Sequence, residues 1–264
     1  MILSLFVRLA RSAVVAFAFV SASAPSLAAD ALASADLAEL LAVHDFKTSV
    51  AVGNRYLKQQ SLIAVRDSLA RLGRERKFGK DWKRGNPQWD AAEKLLVDPM
   101  IEQNRNDWSS LQWLGPEWEA MGQASFSRQD LDALLSHFRT DIGRKQVKII
   151  DHSVAFHVAG SYGMSGRLIQ DYPGTEQEQK ALTYVWDDED KAMRFSIEAN
   201  ENIDGQRFAL SPLGAKYQRT LIIKLTGILN ARIDKLAAQL PAAAAARLPE
   251  ADSVIAAYQA SRTQ

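Results

Sequence analysis

The chain has 264 residues, 32 basic and 31 acidic side chains, 47% apolar residues and no cysteine. A formal charge of +1 excludes the dense phosphate-neutralising charge of a nucleic-acid binder. The lack of thiols excludes disulfide scaffolds, thiolate zinc sites, iron–sulfur clusters and cysteine nucleophiles.

At the N-terminus, Arg8 and Arg11 precede the uncharged apolar stretch Ala13–Val20, which leads into small residues from Ser21 to Ala28. This is the layout of a secretory signal peptide. Cleavage after Ala22-Ser23-Ala24 would leave Pro25 as the new terminus, a poor peptidase product. Ser26-Leu27-Ala28 carries small residues at both required positions, so cleavage is expected between Ala28 and Ala29. The apolar core falls short of the roughly 20 residues needed to span a bilayer, and no later segment reaches that length uncharged. The expectation is a bacterial protein that is periplasmic or secreted, with no transmembrane segment after signal removal. Residues 29–240 should form a single helical domain, with two packed halves (29–160 and 161–240) as the alternative. Residues 241–264 form an alanine-rich tail.

The expected fold is all-α, a multi-helix bundle. Ser34 is positioned to cap a helix with Leu37, Leu40, Leu41 and His44 on its apolar face, at i, i+3, i+4 and i+7. A second helical stretch runs through Tyr56 and Leu57 to Val65, Leu69 and Leu72. Asn86-Pro87 reads as an N-cap followed by proline at the first helical position. The helix it opens, through Trp89, Leu95 and Leu96, should bend or stop before Asp98-Pro99. Gly115-Pro116 breaks the next stretch. Ser127 and Asp130 form a capping box, with Phe126 able to staple onto Leu131, ahead of Leu134, Leu135 and Phe138. Thr140 caps a helix with Val147, Ile150 and Val154 facing inward. Gly160–Gly166 reads as a loop. Thr175 and Glu178 form another capping box before Leu182, Val185 and Trp186. Residues 186–208, including Met193 and Ile197, fit either helix or hairpin. Ser211-Pro212 opens the longest helix, a spine striped by Leu213, Tyr217, Leu221, Leu225, Ile228, Leu229, Ile233, Leu236 and Leu240 and ended by Pro241. The tail beyond it has few large apolar residues and should dock loosely or fray.

An internal repeat emerges. Thr140-Asp141-Ile142-Gly143-Arg144-Lys145 and Ser211-Pro212-Leu213-Gly214-Ala215-Lys216 share the pattern Ser/Thr-x-apolar-Gly-x-Lys, with Phe138 and Phe208 shortly upstream. The physical reading is a helix corner. The hydroxyl caps the new helix, and the glycine admits the preceding helix, offsetting its cost of about 1 kcal/mol inside a helix. The lysine points outward. The alternative is an anion site built from free N–H groups and the lysine.

Phe126-Ser127-x-x-Asp130-Leu131, followed by Phe138-x-Thr140-x-x-Gly143-x-Lys145, resembles the signature of the exported bacterial family catalogued as domain of unknown function 2059 (DUF2059). That family's pattern is Phe-Thr-x-x-Glu-Leu, then Phe-Tyr-x-Thr/Ser-Pro-x-Gly-x-Lys. The resemblance is strongest over residues 120–160, with a partial repeat at 208–217. The chain departs from the pattern at Asp130, Arg139 and Asp141. The resemblance implies an exported all-helical protein and supplies no catalytic residue.

Candidate chemistry is sparse. His44, His137, His152 and His157 show no metal-ligand spacing. The acidic run Asp187–Asp190 lacks the alternation and glycine of a calcium loop. No serine lies in a nucleophile elbow. No metal, cofactor or catalytic residue is implied. Residues 66–84 hold eight bases against three acids, whereas residues 176–204 hold nine acids against three bases. Five of the six tryptophans fall between Trp82 and Trp118. Trp108, Trp113 and Trp118 are spaced so that at least one should face away from the core unless a second layer covers it. Arg74, Arg76, Lys77, Lys80, Lys83 and Arg84, with Trp82 and Trp89 stacking beside them, are therefore the candidate contact surface. The alternative is that the rings fill a core and the bases solvate a connector. The functional reading is a non-catalytic protein binding an envelope protein or an anionic glycan or lipid surface, with no nucleic-acid partner. The other reading is a hydrolase acting on an envelope polymer through a carboxylate pair.

Overall fold

The computed structural model describes residues 32–163 and 203–262, without the side chains of 203 and 204. Every regular element among them is helical. The expected signal segment, the Thr175–Glu178 capping box, the acidic run Asp187–Asp190 and the positions Met193 and Ile197 lie outside the described residues. In chain order the helices are α1 (Ser34–Ala42), α2 (Lys47–Glu75), α3 (Pro87–Ser109), α4 (Leu114–Ser125), α5 (Arg128–Phe138), α6 (Asp141–Ser161), α7 (Ile203–Ala209) and α8 (Pro212–Arg219). A π-helical turn over Thr220–Leu225 leads directly into α9 (Thr226–Arg247). A 3-10 turn, Leu248–Ala251, then joins α10 (Asp252–Ser261). From α8 to the end of α9 the chain is one rod, roughly 50 Å long at 1.5 Å per residue.

Local signals set most boundaries. The Asn86 side chain accepts hydrogen bonds from the N–H groups of Gln88 and Trp89, with Pro87 at the first helical position. The Ser127 capping box is complete, its hydroxyl taking the Asp130 N–H and the Asp130 carboxylate taking the Ser127 N–H. Phe126 and Leu131, the residues placed to staple, are both buried in one core. Gly115-Pro116 sits in the first turn of α4 rather than between helices.

Two apolar clusters hold the helices together. The first gathers Leu37 and Leu40, Trp118, Leu131, Leu134, Phe138, Val147, Ile150 and the rod residues Tyr217, Leu221 and Leu225. The second gathers Val65, Leu69, Trp82, Trp89, Ala92 and Leu96 with Leu240, Ala244, Ile255 and Tyr258. Helix α2, at 29 residues, runs through both, as does the rod. Each fully buried leucine contributes about 1.5–3 kcal/mol relative to exposure. No helix among the described residues is long and apolar enough to cross a membrane.

Further local expectations need correction, among them the loop from Gly160, since α6 runs on to Ser161. Ser34 does not cap α1: the cap position is Ala33, and the Ser34 hydroxyl donates instead to Glu119. Helix α3 continues through Pro99 to Ser109. The proline removes one backbone hydrogen bond, but Leu96, Val97 and Met100 beside it are buried, and their burial carries the helix on. Pro241 does not end the rod, because Leu240 and Ala244 on either side of it are seated in the second core. The tail is not loosely docked. Ala251 and Ile255 have no exposed surface, and Tyr258 closes the second core against Phe78 and Trp82. Alanine buries little area, but it lets backbones approach closely enough for Ile255 and Tyr258 to reach inward.

This docking predicts that Ile255→Ala lowers stability by about 2–5 kcal/mol, the range for a truncated core isoleucine. The shift in the urea midpoint at unchanged slope measures it. A tail that merely frays would give a change within about 0.5 kcal/mol.

Candidate functional site

The basic stretch lies where α2 ends and the chain turns toward α3. Helix α2 closes with paired hydrogen bonds: the Phe78 N–H donates to the Gly73 carbonyl and the Lys77 N–H to that of Arg74. This is the Schellman arrangement, whose left-handed position is usually glycine. Here Lys77 holds it, at φ 54°. A left-handed conformation costs a side-chain-bearing residue roughly 1–2 kcal/mol.

The loop that follows is pinned from beneath by rings. The Trp82 indole N–H donates to the Leu69 carbonyl at 3.0 Å. Trp82 packs edge-on against Trp89 and Phe78 and tilted against Tyr258. The ring lies so close to α2 that a Cβ on Gly73 would stand 2.4 Å from it. Trp89 donates to Glu93, which also takes both arms of Arg66. Burial alone would raise the Glu93 carboxyl, but hydrogen bonds from Arg66 and Trp89 and the nearby charge of Arg84 hold it below its ordinary value.

The expected stacking surface of Trp82 and Trp89 is therefore corrected. Both are buried, at 7% and 5% exposure, and neither has a free face for a ligand. Trp108 and Trp118 are also core residues, whereas Trp113 is partly exposed. The bases, by contrast, are where the sequence put them. Arg74, Arg76, Lys77, Lys80, Lys83 and Arg84 are all exposed. Arg76 pairs with Asp252 at 3.7 Å. Among the described residues Arg74, Lys77, Lys80 and Lys83 have no carboxylate partner within 4 Å. The tryptophans act as the scaffold that presents them.

The two Ser/Thr-x-apolar-Gly-x-Lys corners have the same geometry. The Thr140 hydroxyl accepts from the Gly143 N–H at 3.0 Å and donates to the His137 carbonyl at 2.7 Å. The Ser211 hydroxyl accepts from the Gly214 N–H at 3.0 Å and donates to the Phe208 carbonyl at 2.7 Å. A Cβ on Gly143 would lie 2.1 Å from the His137 carbonyl oxygen, and one on Gly214 2.0 Å from that of Phe208. The corners touch: the His137 and Phe208 rings stack at 3.7 Å and 11°. The counterpart of Phe208 is thus His137, not Phe138. The glycine N–H groups are already bonded to the cap hydroxyls, which takes up one of the donors an anion would use at each corner. Lys145 is exposed. Lys216 pairs with Asp130 at 2.8 Å and lies over the Phe126 ring. Burial works to raise the Asp130 carboxyl, but Lys216 and the Ser127 N–H hold it below its ordinary value.

The spacing that turns His44 inward does not reveal its partners. His44 lies beyond α1, in the turn to α2, and its side chain is fully buried. Its Nδ1 faces Asp151 Oδ1 at 2.5 Å, its Nε2 faces the Tyr217 hydroxyl at 2.5 Å, and the Asp45 N–H donates to the other Asp151 oxygen. A carboxylate at Nδ1 fixes the proton there, so Nε2 accepts from the phenol. Burial, and then the negative charge of Asp151, raise the Tyr217 hydroxyl well above its ordinary value. Phe46, Trp118 and Tyr217 enclose the imidazole. The order carboxylate, imidazole, hydroxyl is that of a nucleophile relay, but the phenol has no exposed surface. Its role is to join three segments.

Elsewhere, His137 bonds Gln146 and His157 bonds the Ser153 carbonyl. Among the described residues no three of His, Asp or Glu gather as a metal site. Three of the open grooves on the described surface each carry at most one carboxylate: Glu117 in the groove between α4 and the rod, Asp67 in one beside α2, and none in the third, along α8. Comparison with protein families, curated proteins and solved structures returned no match.

Two outcomes are expected from unfolding midpoints. Gly143→Ala and Gly214→Ala should each destabilise by about 1–3 kcal/mol through backbone overpacking, whereas Lys145→Ala should stay within about 0.5 kcal/mol. Tyr217→Phe leaves His44 Nε2 without its partner in a sealed site and should cost about 1–3 kcal/mol.

Proposed function

We propose that the protein is an exported, non-catalytic binding protein of the bacterial envelope, and that the basic pole from Arg74 to Arg84 contacts an anionic partner there. Export rests on the signal-like layout that ends at Ala28 and on the resemblance to the exported DUF2059 family. The observation that carries the contact is Lys77. A lysine occupies a left-handed position that glycine would fill without strain, and it does so at the centre of a cluster of exposed bases. Strain that the surrounding structure sustains tends to mark function. The second support is rigidity. The bases stand on the end of α2 and on a loop anchored by Trp82, so little backbone entropy is lost when they meet a surface. Concentrated charge of one sign also steers encounter with an anionic partner, a field that the near-zero net charge conceals.

The test is co-sedimentation with phosphatidylglycerol vesicles and with isolated peptidoglycan as salt is raised. Binding should weaken steeply between low and physiological ionic strength. The triple variant Lys77→Glu, Lys80→Glu, Lys83→Glu should abolish it with an unchanged thermal midpoint. Lys77→Gly should separate the two roles of that residue. It relieves roughly 1–2 kcal/mol of backbone strain and loses part of that to a looser unfolded chain, for a net gain of about 0.5–1 kcal/mol, while binding falls. Wild-type binding by the triple variant would overturn the proposal.

A further inference from the structure

Helix α4 lies along the rod, and together they enclose an open groove of about 630 Å³. Small residues face into it from both walls. Ala120 and Ala124 stand one turn apart on α4, and Gly227 and Ala231 one turn apart on α9. At Gly227 an added Cβ would meet nothing within 4 Å. The apolar surface inside comes from Met121, the partly exposed Trp113 and Ile223, which is 63% exposed. Ile223 and Lys224 reach this face from within the π-helical turn. Such turns inside α-helices recur at functional sites.

The charge is arranged as well. Lys224 stands at one end of the groove, and Arg232 and Lys235 stand at the other. At 1.5 Å per residue, Lys224 and Lys235 are roughly 16 Å apart along the rod, three turns of helix. Glu117 is the one acid in the lining. Arg232 lies over the Trp113 ring at 5.6 Å, and its Nε is buried with no acceptor among the described residues.

We propose that this groove seats an amphipathic helix of a partner protein, with an apolar face about three turns long and a carboxylate near each end. The small residues on both walls let a third backbone come close. The apolar middle takes the i, i+3, i+4, i+7 face of such a helix. The cations at the two ends meet its acids, so the groove selects for charge and for length. A single-headed anionic amphiphile would satisfy only one end. The surface is distinct from the basic pole, which lies on the loop between α2 and α3.

The experiment is selection from a displayed library of 14-residue helices with leucine fixed at i, i+3, i+4 and i+7 and all other positions random. Wild type is the bait, and Gly227→Phe, which fills open space, is the counter-bait. Enriched peptides are expected to carry Asp or Glu at both ends. They should bind at least tenfold more weakly to Gly227→Phe, and also to Lys224→Glu, Lys235→Glu, which reverses two exposed charges and removes the Lys224–Ser125 hydrogen bond. They should bind the Lys77→Glu, Lys80→Glu, Lys83→Glu variant as they bind wild type, so this outcome is independent of the basic pole. The proposal is overturned if no peptide distinguishes wild type from Gly227→Phe, or if the enriched set shows no acidic bias at its ends. It is also overturned if 11-bromoundecanoate quenches Trp113 in wild type but not in Gly227→Phe while no peptide binds, which would make the groove a lipid site.

Discussion

The hydrogen-bonded chain Asp151–His44–Tyr217 is the constraint around which the first core is built. It joins the turn after α1 to the middle of α6 and to α8, segments separated by 107 and 173 residues of sequence. A buried imidazole is tolerable only when both nitrogens are satisfied, so each of the three backbones must stop at one distance from the others. The two helix corners then follow from position. Tyr217 stands six residues beyond the cap Ser211, and Gln146 stands six beyond the cap Thr140. Gln146 makes the parallel connection, bonding His137 and the Gly205 carbonyl. Each corner thus delivers one polar side chain inward, and the glycine that admits the preceding helix fixes the depth to which it reaches.

What the sequence revealed was local. Caps at Asn86, Ser127, Thr140 and Ser211 are readable because donor and acceptor lie within three residues of each other. The helical stripes of α2, α5, α6 and the rod are readable for the same reason. The misreadings share one cause, a partner far along the chain. Trp82 and Trp89 looked like a surface because nothing near them in sequence shows that Tyr258 packs on Trp82 and that both rings lie in the second core. Pro99 and Pro241 looked like stops because propensity omits the packing on either side. The alanine-rich tail looked loose because its large residues are few, although Ile255 and Tyr258 are spaced to face the same way. His44 was legible as an inward-facing residue, but Asp151 and Tyr217 carried no mark linking them to it.

At the candidate sites the division is similar. The six bases of the pole could be listed from composition alone, because charged side chains with no local partner are exposed almost by default. Their rigidity could not, since it depends on rings contributed by three separate elements. The groove beside α4 has no sequence signature. Its small residues, Ala120, Ala124, Gly227 and Ala231, are unremarkable within their own helices and acquire meaning only when the two walls are set opposite each other.

The π-helical turn has a consequence for the whole rod. Tyr217, Leu221, Leu225, Leu229 and Ile233 follow one another at steps of four, and none of them has exposed surface. In a regular α-helix each such step overshoots by about 40°, and four steps would carry the stripe nearly halfway around the axis. The wider turn at Thr220–Leu225 takes back much of that rotation. It therefore sets the angular phase between the end of the rod that carries Tyr217 and the end that carries Leu240 and Ala244. Rewinding the same residues as regular α-helix, with none lost, would rotate everything beyond by about 100°. Tyr217 would remain seated against His44, while residues some 20 Å away along the rod would swing off the second core. The alignment of the two cores is thus held by the winding of a six-residue turn.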